Sequence, residues 1–320
     1  MARVSVIMPV FNGERFVAKA IESVRKQDFG DVEIIVVDDG STDRSGEIIR
    51  SLDGVSYHFQ QNRGAGVARN FGVSVARGEW IAFLDADDVC YSNRLSVQMA
   101  CAASGKDESF IYSDMDVIDE HDRLIERNFL GAKGRRRRKR QNLMDHLFPG
   151  LPPPYLSTVL MRRKRFLDSG GFNPSFKWKY MEDCEFFGRI ARMCSVEFIP
   201  QGLVQYRVDK SRAFEDPRMT SVNWDVLLEC LPHMARSEDE RRLLVRAFHR
   251  EYARYLSNHG KRNLRRGDFK TARDLCRLAF LQCPLYFRNW LRWMLAFTPL
   301  VRNLYVHSKR VRRGAASPTP

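Results

Sequence analysis

Two carboxylates one residue apart, Asp85 and Asp87, stand in the run DADD directly behind the apolar stretch WIAFL. Acids at a buried strand end are costly unless something positive compensates them, and a hard divalent cation that also touches a diphosphate does so. Taken alone, the pair reads either as such a metal anchor or as the acids of a solvated loop. A second pair, Asp38 and Asp39, opens DDGSTDRS behind the apolar VEIIVV. Gly40 permits a tight turn there, and Ser41, Thr42 or Asp43 can cap a following helix. These acids either hold a base or ribose or belong to a capped strand-to-helix turn.

Both pairs need elements that bring them to one edge. The runs Val4 to Met8, Val32 to Val37, Val55 to Gln60 and Trp80 to Leu84 read as short apolar strands, and Glu14 to Gln27 and Ala65 to Ala76 read as helices among them. The alternation predicts an α/β domain with a mostly parallel, Rossmann-like sheet flanked by helices. Ligands of such sheets bind beyond the carboxyl ends of the strands, so the loops after Met8, Val37 and Leu84 form the candidate site. Past Asp116 the alternation loosens, and Gly131 to Pro154, with Pro149, Pro152, Pro153 and Pro154, has loop composition. Strands return at Ser157 to Met161, Val196 to Ile199 and Gly202 to Val208, around a helix from Glu182 to Met193. From about Thr220 onward the pattern is helical with charged faces, and Gly267 to Phe280 reads as one element of a helical hairpin. The expected organisation is an α/β domain over 1–215 and a helical C-terminal region over 216–320.

The 320 residues are 44% hydrophobic, enough for one large core and a smaller appendage. Seven cysteines are scattered and never spaced C-x-x-C, which argues against a disulfide framework and a zinc site. Met1 to Phe11 is interrupted by Pro9 and framed by neither a charged leader nor a small-residue cleavage site, so a reducing, cytoplasmic location is expected. The formal charge of +14 points towards nucleic acid or an anionic surface, yet it is local. Lys133 to Arg140 reads KGRRRRKR, seven basic residues in eight, and Arg302, Lys309, Arg310, Arg312 and Arg313 add five more. No recognisable nucleic-acid-reading motif accompanies them, so nucleic acid is not an expected partner.

The ordered segments VSVIMPVFNGE (Val4 to Glu14), VVDDGSTD (Val36 to Asp43), NRGAGVARN (Asn62 to Asn70), FLDADD (Phe83 to Asp88) and SGGFNPSFKWKYMEDCEFFGRI (Ser169 to Ile190) resemble glycosyltransferase family 2, the inverting enzymes of GT-A fold. The resemblance covers about residues 4 to 208. It implies transfer of a sugar from a nucleotide-diphosphate sugar, UDP-linked in the first instance, to an acceptor hydroxyl in cell-surface polysaccharide or glycolipid synthesis, with Mn²⁺ or Mg²⁺ as cofactor. The alternative is a nucleotide-sugar-binding protein that has lost catalysis, against which the intact DADD and ED runs argue.

By the same resemblance Pro9, Phe11 and Glu14 line the nucleoside pocket, Asp39 hydrogen-bonds the base with Asp38 beside it, and Asn62 and Gly64 shape the loop over the nucleotide. Arg69 contacts base or diphosphate, or is an ion-pair partner of Asp39. Asp85 and Asp87 hold the metal and ribose side. For Glu14 a helix-start acid favoured by the macrodipole is an equal reading. The ED pair, Glu182 and Asp183, opens a helix twelve residues beyond Gly170, where Gly170 and Gly171 provide a turn. Inverting transfer needs one carboxylate to take the acceptor proton; the resemblance assigns this to Asp183 and a supporting role to Glu182. One departure stands out: many relatives carry a histidine shortly after a tyrosine-arginine pair, whereas Tyr206 and Arg207 are followed by Val208 and Asp209. Arg207, Lys210 or Arg212 is expected to substitute by charge.

Leu285 to Val301, LYFRNWLRWMLAFTPLV, is too short and too interrupted by Arg288 and Arg292 to span a bilayer. Trp290, Trp293 and Phe297 with the basic residues after them suit either a helix lying on an anionic membrane or one packed on the rest of the chain. The loop from Lys133 to Arg140 reads either as solvated or as a contact to anionic lipid or a lipid-linked acceptor. Peripheral association with the inner face of the cytoplasmic membrane is the corresponding expectation.

Overall fold

In strand β1 (Val4–Val10) every residue is buried, because successive side chains point to opposite faces and both faces are covered. Val4, Val6, Met8 and Val10 join Ile34, Val36, Trp80, Ala82, Leu95 and Met99 in one apolar cluster. Ile7 joins Ile35, Val37, Ile81 and Phe83 in the cluster on the other face. The computed structural model describes residues 3–104, 108–131, 154–176, 182–208, 237–266 and 268–283, with isolated positions between 228 and 235. The basic run 133–140, Lys210, Arg212, the expected boundary near 215 and the segment 285–301 lie outside the described residues.

The chain divides into two units, Met1–Arg236 and Ser237–Pro320. In the first, nine strands among the described residues form one sheet. β2 (Val32–Asp38), β3 (Val55–Phe59) and β4 (Trp80–Phe83) run parallel to β1 in the order β3-β2-β1-β4. The parallel set is flanked by α1 (Val17–Arg25), α2 (Ser45–Arg50) and α3 (Ala65–Val75). The expected Rossmann-like half is therefore present. α1 begins three residues after Glu14, which lies in the preceding loop.

Beyond β4 the sheet is mixed. After the two-residue β5 (Val89–Cys90) and α4 (Arg94–Ala102), strand β6 (Glu108–Ile118) lies parallel to β9, while β7 (Leu124–Glu126) pairs with it antiparallel. β8 (Val159–Arg162) is inserted antiparallel between β4 and β6. It leads into α5 (Arg163–Asp168) and α6 (Glu182–Met193). The two strands expected at 196–199 and 202–208 form one element, β9 (Ser195–Arg207), whose register against β6 shifts between Ile199 and Gly202. A bulge there absorbs Pro200, which cannot donate to the ladder.

β6 is absent from the sequence expectations because Asp114 and Asp116 interrupt its apolar pattern. Both are buried, and both are satisfied: Asp114 accepts from the backbone amides of Met115, Leu130 and Gly131, and Asp116 from the Asn128 amide and the Tyr91 hydroxyl.

The second unit holds α7 (Glu238–Arg266) and α8 (Phe269–Gln282), the latter capped by Asp268, whose carboxylate accepts from the Thr271 amide. They pack closely where Gly260 faces Cys276, since a Cβ there would lie 2.5 Å from Sγ. Among the described residues no helix is long and apolar enough to cross a membrane.

Candidate active site

At the carboxyl ends of β1 and β4 lies a cleft of about 210 Å³. Pro9, Phe11, Arg69, Asp85 and Asp87 line it, all of them expected from the sequence. Asn12, Gly13, Phe16, Ala65 and Ala86 line it as well and were not anticipated. The asparagine-glycine pair after β1 carried a signal, because Asn12 turns the chain at φ +52°, a region asparagine tolerates better than most residues.

The loops after β1 and β2 are tied together residue by residue. Asn12 and Gly13 donate backbone N–H to the Ser41 and Ser45 hydroxyls, and the Asn12 side chain accepts from the Thr42 amide. Glu14 accepts from the Arg44 amide while its own amide donates to Asp43. Glu14 thus ties the two loops and is not among the lining residues. Asp38 is also engaged: Oδ1 accepts from the Ser41 amide at 2.8 Å and Oδ2 from the Tyr57 hydroxyl at 3.0 Å.

Asp39 organises the entrance of α3. Its Oδ1 accepts from Gln60 Nε2 and the Arg63 amide, and its Oδ2 accepts from the Gly64 amide at 2.8 Å. Gly64 has φ +95°, a conformation that side chains strain to adopt, so the turn needs glycine. Asn62 sits against Gly40, where an added Cβ would lie 2.8 Å from the Asn62 nitrogen. Both polar atoms of the Asn62 side chain are buried without a hydrogen-bond partner among the described residues.

Arg69 joins two of the acidic pairs. Its Nη2 meets Asp85 Oδ1 at 2.6 Å and its Nη1 meets Glu182 Oε1 at 2.8 Å, with the side chain only 5% exposed. The guanidinium also lies over the Phe172 ring, 5.5 Å from its centroid. The ion pair considered with Asp39 is therefore made with Asp85 and Glu182 instead, since the Asp39 carboxylate is occupied by amides of the α3 entrance.

Burial pushes the Glu182 carboxyl up to about 7, with the Asp183 and Asp85 charges adding to the rise and the Arg69 guanidinium opposing it. Burial likewise raises Asp183 to about 6, against the Cys184 amide that donates to it at 2.8 Å and the positive charge of Arg69. Two carboxyls poised in this range can exchange protons near neutral pH.

The loop Asp85 to Asp88 places three carboxyls within four residues. Burial first, then the Asp87 and Asp85 charges, hold the Asp88 carboxyl well above the usual range. Ser157, in a 3₁₀ turn, accepts from the Asp85 amide at 3.1 Å, and the Arg207 amide donates to Asp88 at 2.9 Å. Among the described residues no three His, Cys, Asp or Glu side chains converge into a metal cage. Mg²⁺ or Mn²⁺ bound by one or two carboxylates plus a ligand's phosphates needs none, and the hard oxygens of this acidic loop suit such an ion. Arg207, expected to replace a histidine by charge, is buried with its guanidinium among protein acceptors.

Residues 5–168 match the profile of the family described as Glycosyl transferase family 2. An uncharacterized glycosyltransferase of Rickettsia typhi is 31% identical over 208 residues, 64% of each chain. The GalNAc(5)-diNAcBac-PP-undecaprenol beta-1,3-glucosyltransferase of Campylobacter jejuni is 32% identical over 182 residues, 55% of this chain and 56% of that one. The matches thus span less than two thirds of these relatives' lengths. Among solved structures, S. aureus TarS 1-349 in complex with UDP superposes with a TM-score of 0.60 at 17% identity, over 96% of this chain and 92% of that one.

Proposed function

The chain belongs to glycosyl transferase family 2, and on that premise we propose that it is an inverting enzyme that moves a sugar from a nucleotide-diphosphate sugar, UDP-linked in the first instance, to an acceptor hydroxyl. The observation that carries the reading is the bridge made by Arg69, which puts Asp85 of the donor loop and Glu182 of the ED pair on one guanidinium. In this reading the donor and acceptor chemistry lie within one side chain of each other.

In this reading Pro9 and Phe11 form the apolar wall against the base, and Asp39 orders the Arg63–Gly64 turn and keeps a lone pair on Oδ2 for a base N–H. Asp85 and Asp87 would hold Mn²⁺ or Mg²⁺, which supplies positive charge for the departing diphosphate. The acceptor oxygen attacks the anomeric carbon from the face opposite the diphosphate, so the new C–O bond forms as the bond to the diphosphate oxygen breaks. The hydroxyl proton passes to the Asp183 carboxylate, and the anomeric configuration inverts. Glu182, held by Arg69, supports that carboxylate. A UDP-bound structure of similar fold supports UDP as the nucleotide, and the PP-undecaprenol in the Campylobacter jejuni relative's name supports a lipid-linked acceptor.

The test is incubation with UDP-, GDP- and dTDP-sugars and Mn²⁺, following release of the nucleoside diphosphate. One donor is expected to turn over, and Asp183→Asn is expected to lose about 10² to 10⁴ in rate while UDP affinity by calorimetry stays within a few fold. Tight UDP binding with no turnover of any donor would favour a non-catalytic binding protein. Turnover undiminished in Asp183→Asn would overturn the assignment of the base.

A further inference from the structure

Arg207 ends β9 with a side chain 1% exposed, and its contacts radiate in three directions. Nε donates to the Asp87 carbonyl at 2.8 Å, Nη1 donates to the Asp119 carbonyl at 2.9 Å, and Nη2 pairs with Asp122 Oδ1 at 2.7 Å. Its backbone amide holds Asp88 at 2.9 Å. The guanidinium plane also covers the Phe16 ring, 4.4 Å from its centroid, and Phe16 lines the cleft. Asp122 is gripped from its other side by Lys19 of α1 at 2.7 Å.

A planar, permanently charged fork can make these bonds together and stack on a ring at the same time, whereas an ammonium group cannot. The carbonyl and side chain of Asp87 hang on one backbone, so fixing the carbonyl restricts where the carboxylate can go. Nε and Nη1 already have carbonyl acceptors and Nη2 has an ion-pair partner in Asp122. Positioning fits these contacts better than charge replacement of a histidine.

We propose that Arg207 is a positioning residue for the donor site: it leaves the diphosphate untouched and holds the Asp87 backbone and the Phe16 ring in one arrangement, with Asp122 as its outer anchor. The inference rests on the reading of Asp87 as a cation-binding carboxylate. Residues one layer behind metal ligands typically tune metal affinity by about 10- to 100-fold.

Calorimetric titration of the full-length protein with UDP, in Mn²⁺ and in excess chelator, tests it. Wild-type protein is expected to bind UDP more tightly with Mn²⁺; if it does not, the metal reading fails, and this inference with it, before any variant is compared. With that gain present, Arg207→Lys is expected to lose about tenfold of the Mn²⁺-dependent affinity while UDP affinity in chelator is unchanged. Asp122→Asn, whose side chain is 45% exposed on a turn, is expected to shift the same quantity by a smaller factor. An equal loss in chelator would assign Arg207 to the diphosphate and overturn the proposal. A lowered Tm with the Mn²⁺ gain intact would mark a purely structural role and overturn it too. Should Arg207→Lys not fold, the Asp122→Asn comparison decides by the same criteria.

Discussion

The Arg69 guanidinium is surrounded by Asp85, Glu182 and the more distant Asp183, so one positive charge serves three carboxyls. The excess appears as raised carboxyls on Glu182, up to about 7, and Asp183, up to about 6, both driven first by burial. For a general base the sign is direct: the ionised form grows as pH rises. Transfer is expected to climb with pH along an acid limb near the Asp183 value of about 6, read from a pH–rate profile at saturating donor. Stability has the opposite sign. A carboxyl raised in the folded state binds its proton more tightly there than in the unfolded chain, so its contribution is present at low pH and lost as pH rises through about 7. Urea denaturation of the ligand-free protein is expected to show wild type losing stability between pH 5 and pH 8 relative to the Glu182→Gln, Asp183→Asn double variant. Parallel pH dependence of the two proteins would show that the pair is not raised. The acids were legible as motifs; their shared arginine was not, because Arg69 and Glu182 are separated by 113 residues.

Helix α3 shows how one element divides its two duties. Gly72 faces β1 and β2, and a Cβ there would lie 2.5 Å from Ile7 Cγ2 and 3.4 Å from Val37 Cγ2. Gly66 faces the site, where a Cβ would lie 3.1 Å from Phe172 Cβ and 3.3 Å from Glu182 Oε2. The same substitution should therefore fail in different ways. Gly72→Ala is expected to cost roughly 1–3 kcal/mol in urea denaturation through overpacking. Both substitutions gain up to about 1 kcal/mol of helix propensity, which offsets the milder crowding at Gly66 but not the 2.5 Å approach to Ile7 at Gly72. Gly66→Ala is expected to lose less stability than Gly72→Ala while losing turnover, because its crowding falls on Phe172 Cβ and on the Glu182 carboxylate. Equal stability losses in the two variants would refute this division. The helix α3 could be read from the run Ala65 to Ala76; which glycine faces the sheet and which the site required the packed helix.

At the scale of the whole molecule the chain comprises an α/β unit and a second unit built on α7 and α8. The aromatic and basic segment after Asn289 motivates a membrane prediction that belongs to this scale. The full-length protein is expected to sediment with vesicles containing anionic lipid, and a variant lacking residues 289–320 to remain in the supernatant; a full-length protein that ignores such vesicles would end the idea. What the sequence by itself determined were features written in short windows: the apolar strands β1 to β4, the turn chemistry of DDGSTDRS, the DADD loop, the ED helix start and the resemblance to a family. Only the tertiary structure decided that β6 pairs with β8 and β9 despite its two buried acids, that Asp39 serves the α3 entrance while Arg69 serves Asp85 and Glu182, and that Arg207 reaches Asp87 across 120 residues. The reason is physical: periodicity and turn propensity act over a few residues, whereas a buried charge finds its partner through strand register and helix packing that no short window contains.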